Sequence, residues 1–110
     1  MGIFGPLKRQ KQVSDWQERV IKWADDRKIL SGSTPAKQLE KLKEELGELC
    51  DAIDGNDGGE IVDAIGDMAV VLCIIAEMYG SDFTDCQEAA WEQIKDRRGE
   101  MVGGIFKKSE

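Results

Sequence analysis

Apolar residues recur at steps of three and four along this chain, which is the spacing of amphipathic helices. A first helix is predicted over about residues 13–30, with its apolar positions at Val13, Trp16, Val20 and Trp23. A second is predicted over residues 35–54. Its apolar stripe, which we expect to face the core, consists of Leu39, Leu42, Leu46, Leu49 and Ile53.

Cap and turn residues separate the first three predicted helices. Thr34 is a suitable N-cap for the second helix, and Pro35 suits its first position because proline has no N–H to leave unpaired. Residues 55–59, GNDGG, predict a turn. Asp57 within that turn is the predicted N-cap of the third helix.

The third predicted helix runs to about Tyr79 and contains the most apolar segment of the chain. The residues that follow Asp67, MAVVLCIIA, are apolar on every side, as expected of a buried central helix. Gly80 is predicted to end this helix. A fourth helix is then predicted from residue 81 or 82 to about residue 98.

The two ends of the chain have a different pattern from its centre. Residues 1–12 are predicted to form a loose, mildly basic arm, and residues 13–110 a single domain. Three glycines interrupt the C-terminal tail, in which Ile105 and Phe106 are predicted to be extended. The fold class is therefore all-α, with four helices in a bundle. Because the third helix is too apolar for so small a monomer, we expect homo-oligomerisation to complete it.

Composition excludes several classes of function. The net charge is −7, which argues against nucleic acid or an anionic membrane as the main partner. The chain has no histidine, so Ser-His-Asp catalysis and histidine-ligated zinc are excluded. Its three cysteines form no C-x-x-C and predict reduced, mostly packed thiols. With no apolar leader, and an apolar run too short to span a bilayer, a cytoplasmic location is expected.

Acidic residues are grouped at helical spacing in the second and third predicted helices. The groups are Glu44, Glu45 and Glu48, and then Glu60, Asp63 and Asp67. Each group lines one side of a helix. Like charges at these steps destabilise a helix by roughly a few tenths of a kcal/mol per pair. We therefore expect a cation to neutralise them.

Helical geometry gives these carboxylates different expected directions. Glu45 and Glu48 flank the apolar stripe of the second helix, Asp67 is expected to face inward, and Glu44 to face away toward solvent. Two kinds of cation remain as candidates to neutralise these carboxylates. Lys41 and Lys43 are placed for ordinary ion pairs. A metal site made only of carboxylates would suit Mg²⁺, with Mn²⁺ as a possible substitute.

The segments KLKEELGELCDAI and EIVDAIGDMAVVL resemble the MazG-like, all-α nucleoside triphosphate pyrophosphohydrolases. The hallmark of that family is E-x-x-E, a spacer and then E-x-x-D. Glu45 and Glu48 match the first half, and Asp67 matches the final aspartate. The likeness covers about residues 13–106 and includes IKDRRGEM near the C-terminus. One departure is that Ala64 replaces the usual glutamate.

The resemblance implies hydrolysis of a nucleoside or deoxynucleoside triphosphate to the monophosphate and pyrophosphate, with Mg²⁺ as cofactor. It implies Glu45, Glu48 and Asp67 as metal ligands. Glu60 and Asp63 are alternatives for the place left by Ala64. Glu45 or Glu48 would also orient the attacking water, and these two roles are not separated. The resemblance further implies a homodimer or homotetramer.

Substrate contacts are assigned by the same resemblance. Gln38, Lys41 and Trp23 would contact the base or ribose, and the candidates for phosphate oxygens are Lys95, Arg97 and Arg98. The alternative for these three cations is that they are solvated and complement the dipole at the end of the helix. Trp23 has an alternative place in the core, because it lies on the apolar stripe of the first helix. Two other functions remain open. One is a phosphoribosyl-ATP pyrophosphatase, and the other is a non-catalytic oligomerisation module in which the carboxylates form salt bridges.

Overall fold

The computed structural model describes residues 15–109, which form five helices and one two-stranded sheet. The helices are α1 (Asp15–Asp26), α2 (Ile29–Gly32), α3 (Pro35–Asp54), α4 (Gly58–Met78) and α5 (Phe83–Ile94). The strands are β1 (Gly99–Val102) and β2 (Ile105–Lys108). The predicted all-α class is confirmed. The predicted arm, residues 1–12, and the predicted helix start at residue 13 lie outside the described residues.

Side-chain caps set the starts of the three long helices that follow α2. Thr34, Asp57 and Asp82 each accept a hydrogen bond from the backbone N–H three residues on, at 3.1, 3.1 and 2.8 Å. Pro35 occupies the first turn of α3, as predicted. Each such cap stabilises its helix by about 1 kcal/mol. The predicted helix starts are confirmed because cap chemistry is local to the sequence.

The predicted first helix is wrong at its C-terminal end. α1 stops at Asp26, and Lys28 takes φ 64° and ψ 24°, in the left-handed region that side chains other than glycine rarely adopt. The chain then turns into the short helix α2. Ile29 and Leu30 still fall in the apolar pattern of α1, so the spacing of apolar residues does not reveal a break of two residues. This break gives the fifth helix.

Helix α4 lies at the centre of the packing. It packs mainly on α3 and also contacts α1 and α5. Its buried residues are Ala64, Val71, Cys73, Ile74 and Ala76. Within the segment predicted to be buried, residues 68–76, only Leu72 is exposed, so the prediction of a largely buried segment is confirmed. Before that segment, Val62 and Ile65 of the same helix are exposed. Apolar surface on that face is left for contacts beyond this chain.

Helix α3 buries a different face from the one that its leucine stripe predicts. Glu45 and Ala52 are its buried residues. Leu39, Leu46 and Ile53 are 46–58% exposed. The helix is turned so that its Glu45 side is buried, while three of the five residues of the predicted core stripe are exposed. The periodicity identified the helix correctly but not the direction of its buried face.

Helix α5 is attached to the rest of the fold at its start. The rings of Trp16 and Phe83 lie 5.9 Å apart. The side-chain oxygen of Gln17 accepts hydrogen bonds from the Thr84 backbone N–H at 2.8 Å and from its hydroxyl at 3.2 Å. Beyond Thr84 the helix is exposed to its end at Ile94. The predicted extension to residue 98 is therefore wrong.

A β-hairpin closes the described part of the chain. Strands β1 and β2 pair antiparallel, with Val102 opposite Ile105. The two residues between them, Gly103 and Gly104, have φ 58° and 84°. Such tight hairpin turns require positive φ at both positions, which glycine adopts without steric cost. The predicted extended conformation of residues 105 and 106 is confirmed, but their pairing was missed because the glycines were interpreted only as breaks.

The cysteines differ in their surroundings. Cys73 is buried in α4, and burial, together with Glu77 and Asp82, raises the pKa of its thiol to about 11. Cys50 and Cys86 are exposed, so the prediction of mostly packed thiols is wrong for two of the three. Within residues 15–109, no helix has both the length and the apolar character needed to cross a bilayer.

The left-handed residue Lys28 gives a test of the break between α1 and α2. The left-handed conformation costs an L-residue about 1–2 kcal/mol of folding free energy. Glycine avoids this steric cost, but its greater chain entropy in the unfolded state offsets roughly 0.5–1 kcal/mol of the gain. We expect Lys28→Gly to raise the free energy of unfolding by about 0.5–1 kcal/mol in urea denaturation. The control Lys22→Gly, inside α1, should lower it by about 1 kcal/mol. A loss of stability in both variants would contradict the left-handed assignment.

Candidate metal centre

Three carboxylates of α3 come together around the buried residue Glu45. One oxygen from each of Glu44, Glu45 and Glu48 lies within 4.8 Å of the others. We call these three residues the carboxylate cluster. The helical steps of one, three and four residues bring them to neighbouring positions. Glu44 is exposed to solvent, as expected, and its carboxylate still reaches the cluster.

Glu45 is the buried member of the carboxylate cluster. It is 5% exposed, and its Oε1 atom has no hydrogen-bond partner among residues 15–109. A buried carboxylate oxygen without a partner is costly, because it has lost water and gained nothing in exchange. Such an atom in a folded protein is explained by an ion or a water bound at the site. Glu45 is therefore the residue most in need of a cation.

Lys41, one turn earlier in α3, supplies part of the positive charge that neutralises Glu45. Its ammonium lies 2.9 Å from Glu44 Oε1 and 3.2 Å from Glu45 Oε2. The hydrogen bond to Glu44, and then that to Glu45, raises the pKa of Lys41 above its ordinary value. The predicted ion pairing of Lys41 is thus confirmed. One ammonium does not neutralise three carboxylates, so the cluster keeps a net negative charge.

This excess negative charge affects the pKa of Glu48. Repulsion from Glu45 raises the pKa of Glu48, with loss of hydration, Glu44 and Asp67 adding to the rise and Lys41 opposing it. The contribution of Asp67 places its carboxylate within electrostatic range of the cluster, from the neighbouring helix α4. Asp67 is nevertheless exposed, so its predicted inward orientation is wrong. It lies in a groove between α1 and α4, beside Trp23 and Arg19.

The carboxylate cluster fits a divalent cation of the hard type. Its ligand atoms are all carboxylate oxygens, the donors that Mg²⁺ and Mn²⁺ prefer. The unpartnered oxygen of Glu45 is an atom that such an ion would satisfy. The cluster also lies beside exposed side chains, so a bound ion would remain accessible to solvent and substrate.

The two alternatives for the missing glutamate lie in different surroundings. Glu60 lines an open groove of about 360 Å³ that also contains Glu48. Asp63 is exposed on α4, and neither residue belongs to the group of three clustered glutamates. Ala64 itself is buried. The shared groove favours Glu60 over Asp63.

Three of the predicted substrate residues line one pocket. Trp23, Gln38 and Lys41 surround a cavity of about 420 Å³ between α1, α2, α3 and α4. Trp23 is 43% exposed, so its placement in the core is wrong. The Gln38 amide donates to Ser33 Oγ at 3.1 Å, which holds the amide at the pocket wall. Because Lys41 also contacts Glu44 and Glu45, the pocket adjoins the carboxylate cluster.

The other predicted substrate residues lie elsewhere on this chain. Lys95 pairs with Glu92 at 2.8 Å on α5. Arg98 lines a separate groove with Asp96 and Lys108 near the hairpin. The structure of the single chain therefore does not bring Lys95 and Arg98 to the pocket that holds Lys41. Helix periodicity placed both residues in the last helix, which ends at Ile94, and it did not give their position relative to α3.

A family model of the MazG nucleotide pyrophosphohydrolase domain matches residues 33–102. This chain belongs to the MazG family. The matched residues include the whole carboxylate cluster and Asp67. They begin after α1 and α2, so the MazG match does not include Trp23.

A relative is found in Haemophilus phage HP1 (strain HP1c1). It is described as an uncharacterized 18.2 kDa protein in the rep-hol intergenic region, and it is 45% identical over 60 residues. The match covers 54% of this chain but 37% of the phage protein. The chain thus aligns with little more than a third of that relative. No solved structure matches the chain significantly.

Sequence reasoning missed two cations of the pocket in this MazG chain. Arg27 and Lys28 line the same cavity as Trp23 and Lys41. A signal for Arg27 was present, because it follows Trp23 by four residues and its guanidinium lies 4.8 Å from the indole centroid. Lys28 gave no such signal, since its place depends on the left-handed break that periodicity did not register.

The raised pKa of Glu48 predicts how pH affects the metal-free protein. The folded chain binds this proton more tightly than the unfolded chain, whose glutamate titrates near 4.5. Deprotonation above that pH therefore costs folding free energy. We expect Glu48→Gln, with a chelator present, to raise the thermal midpoint relative to the unchanged protein at about pH 7 and not at about pH 4.

Glu40→Gln is the matched control, because Glu40 is an exposed glutamate of the same helix whose partner, Lys37, is 3.7 Å away. Losing such a surface pair changes stability little. Added Mg²⁺ should stabilise the unchanged protein and not Glu48→Gln. A lower midpoint for Glu48→Gln in chelator at about pH 7 would contradict the repulsion within the carboxylate cluster.

Proposed function

We propose that this MazG protein is a Mg²⁺-dependent nucleoside triphosphate pyrophosphohydrolase. It would convert a nucleoside or deoxynucleoside triphosphate and water to the monophosphate and pyrophosphate. The observation that supports this most is the buried, unpartnered Glu45 oxygen within the carboxylate cluster of a MazG domain. We place the protein in the cytoplasm, where thiols such as the exposed Cys50 and Cys86 stay reduced.

The carboxylate cluster would hold the ion, with Mn²⁺ as a possible substitute. Glu45 and Glu48 are the central ligands, Glu44 adds a third carboxylate, and Asp67 approaches from α4. Glu60, which shares a groove with Glu48, is preferred to Asp63 as the remaining ligand. A bound divalent ion supplies charge neutralisation on the phosphate oxygens and lowers the pKa of water. The protein residues therefore need only bind, orient and accept a proton.

Glu48 is the better of the two candidates for orienting the water. It is exposed, so it is accessible to the attacking water. Glu45 is buried and paired with Lys41, which suits a ligand held in place. In this assignment Glu48 accepts a proton from the water whose oxygen breaks the α–β phosphoanhydride bond.

The cavity beside the carboxylate cluster would hold the nucleoside. Trp23 offers a partly exposed aromatic face on which a base can stack. Gln38 and Lys41 offer polar groups for the base or ribose, and the apolar wall is formed by side chains of α4. Lys95 and Arg98 would contact the phosphates in this pocket only if a second chain supplied them.

A product assay tests the reaction itself. The protein is incubated with Mg²⁺ and each of the common ribonucleoside and deoxynucleoside triphosphates, and also with phosphoribosyl-ATP, and the products are identified. We expect monophosphate and pyrophosphate from at least one triphosphate. Turnover of phosphoribosyl-ATP alone would support the related pyrophosphatase instead. Release of inorganic phosphate and a diphosphate would contradict the proposal, and no turnover would favour a non-catalytic module.

Variants of the acidic residues test the site. Glu45→Gln and Asp67→Asn should abolish turnover, and Glu48→Gln should lower kcat by about 10²–10⁴-fold, the usual contribution of a general base. Circular dichroism should show unchanged helix content. Glu40→Gln, whose charge change is the same on the exposed side of α3, should keep full activity. A normal rate in Asp67→Asn would contradict its assignment.

We further propose that the protein is a homodimer or homotetramer. Exposed apolar side chains follow helical steps on two helices, which leaves contiguous apolar stripes without a covering element in the described chain. On α3 and α4 these residues are Leu39, Leu46, Ile53, Val62, Ile65, Leu72 and Tyr79. Burial of such surface stabilises association by about 25 cal/mol per Å². A second copy is the partner that every solution of this protein contains.

Sedimentation equilibrium tests the oligomer. We expect a mass of two or four chains for the unchanged protein and a shift toward one chain for Ile65→Lys, because a charge would be buried in the interface. Glu40→Lys, an exposed position of α3 outside these stripes, is the control and should leave the mass unchanged. A single-chain mass for the unchanged protein at micromolar concentration would contradict the proposal.

A further inference from the structure

The cavity beside the carboxylate cluster has an unusual charge for this chain. Although the net charge is −7, none of its lining residues is acidic, and three of them are cations: Arg27, Lys28 and Lys41. Like-signed side chains lining a concave surface favour a ligand of the opposite charge. We call this cavity, of about 420 Å³, the cationic pocket. Its charge points to an anionic ligand.

Arg27 is held at the wall of the cationic pocket by two contacts with Trp23. Its guanidinium carbon lies 4.8 Å from the centre of the indole ring, and Nη1 donates to the Trp23 carbonyl at 3.2 Å. Stacking fixes the plane of the guanidinium. An arginine has five N–H donors, and the carbonyl uses one of them. A fixed, planar set of donors is suited to the oxygens of a phosphate.

Lys28 reaches the same wall through a costly backbone conformation. Its φ of 64° turns the chain between α1 and α2, and at this N-cap position its side chain makes no capping hydrogen bond. Residues held in such conformations are enriched at ligand-binding sites. In a regular continuation of α1, residues 27 and 28 would point about 100° apart on the helix. The left-handed turn interrupts that regular continuation, and both cations line one cavity.

The cationic pocket is connected to the carboxylate cluster through Lys41. Lys41 lines the pocket and also contacts Glu44 and Glu45, so a ligand that fills the pocket ends beside the ligands of the ion. A triphosphate carries more negative charge than one divalent ion neutralises. Its remaining oxygens need donors close to the ion, and Lys95 and Arg98 lie in other surroundings on this chain.

We propose that Arg27 and Lys28 bind the phosphate oxygens of the nucleoside triphosphate that the metal ion does not cover. The inference rests on the proposed function and extends it to the recognition of the triphosphate. Both residues precede the segment that the MazG family model matches, residues 33–102. The phosphate contacts would thus come from the part of this chain before the matched domain. Trp23, beside them, receives the base.

Binding measurements separate this role from catalysis. Calorimetry with Mg²⁺ and non-hydrolysable α,β-imido triphosphates of the common nucleosides gives a Kd for the unchanged protein, Arg27→Gln and Lys28→Asn. Asparagine removes the charge of Lys28 but tolerates the left-handed backbone. Each variant should bind the triphosphate analogue about tenfold more weakly, the usual effect of losing one charged hydrogen bond. The matching monophosphate should lose less than about twofold, because it presents fewer oxygens.

Lys37→Gln is the matched control, since Lys37 is an exposed lysine at the start of α3 and should leave both affinities unchanged. Arg27→Lys, which keeps the charge, should restore part of the affinity. Unchanged binding of the triphosphate analogue in both Arg27→Gln and Lys28→Asn would overturn the inference and leave the proposed function standing. Equal losses for monophosphate and triphosphate would also overturn it. If the unchanged protein binds no analogue, the inference and the proposed function both fail.

Discussion

The buried carboxylate of Glu45, held between α3 and α4 beside Lys41, is the interaction on which the rest of this structure depends. Burial of a charged group is tolerated only if the charge is neutralised. Lys41 reaches one oxygen of Glu45, and the other has no partner in the described chain. The orientation of α3 therefore places a charge where a leucine would have been more stable. The bound cation that we propose would offset that cost.

The same orientation explains why so much apolar surface is left exposed. When α3 turns Glu45 and Ala52 toward α4, its leucine stripe moves partly outward. Helix α4 likewise buries one face and exposes Val62 and Ile65. A chain of this size has few ways to cover such surface by itself. The proposed metal centre and the proposed oligomer are thus linked, because the face used for the carboxylates is not available for hydrophobic packing.

The basic side chains are grouped in a region that adjoins the acidic ones and is separate from them. Acidic residues converge at the α3–α4 face, whereas Arg27, Lys28 and Lys41 converge in the adjoining pocket. Lys41 belongs to both groups and marks their boundary. A metal complex of a polyphosphate has both kinds of charge in close succession. The arrangement matches that ligand better than it matches a surface of ordinary ion pairs, where acids and bases would alternate.

The sequence by itself determined the features that depend on near neighbours. The caps at Thr34, Asp57 and Asp82, the helical class and the motif that carries Glu45 and Glu48 follow from local chemistry and spacing, and they are found as expected. The hairpin was within reach too, because glycines at its turn are a local signal. The assignment of each site residue to metal, water or substrate stays a prediction.

Only the tertiary structure decided which face of each helix is buried. Periodicity repeats every turn and so defines a stripe, but the packing of α3 on α4 chose a neighbouring stripe that contains Glu45. The tertiary packing also leaves Trp23 and Asp67 exposed. The carboxylate of Glu44 lies in the carboxylate cluster. The left-handed conformation of Lys28 turns the chain between α1 and α2, where Arg27 and Lys28 line the cationic pocket. Such choices depend on contacts between distant segments and on one backbone angle, and neither is encoded in the spacing of apolar residues.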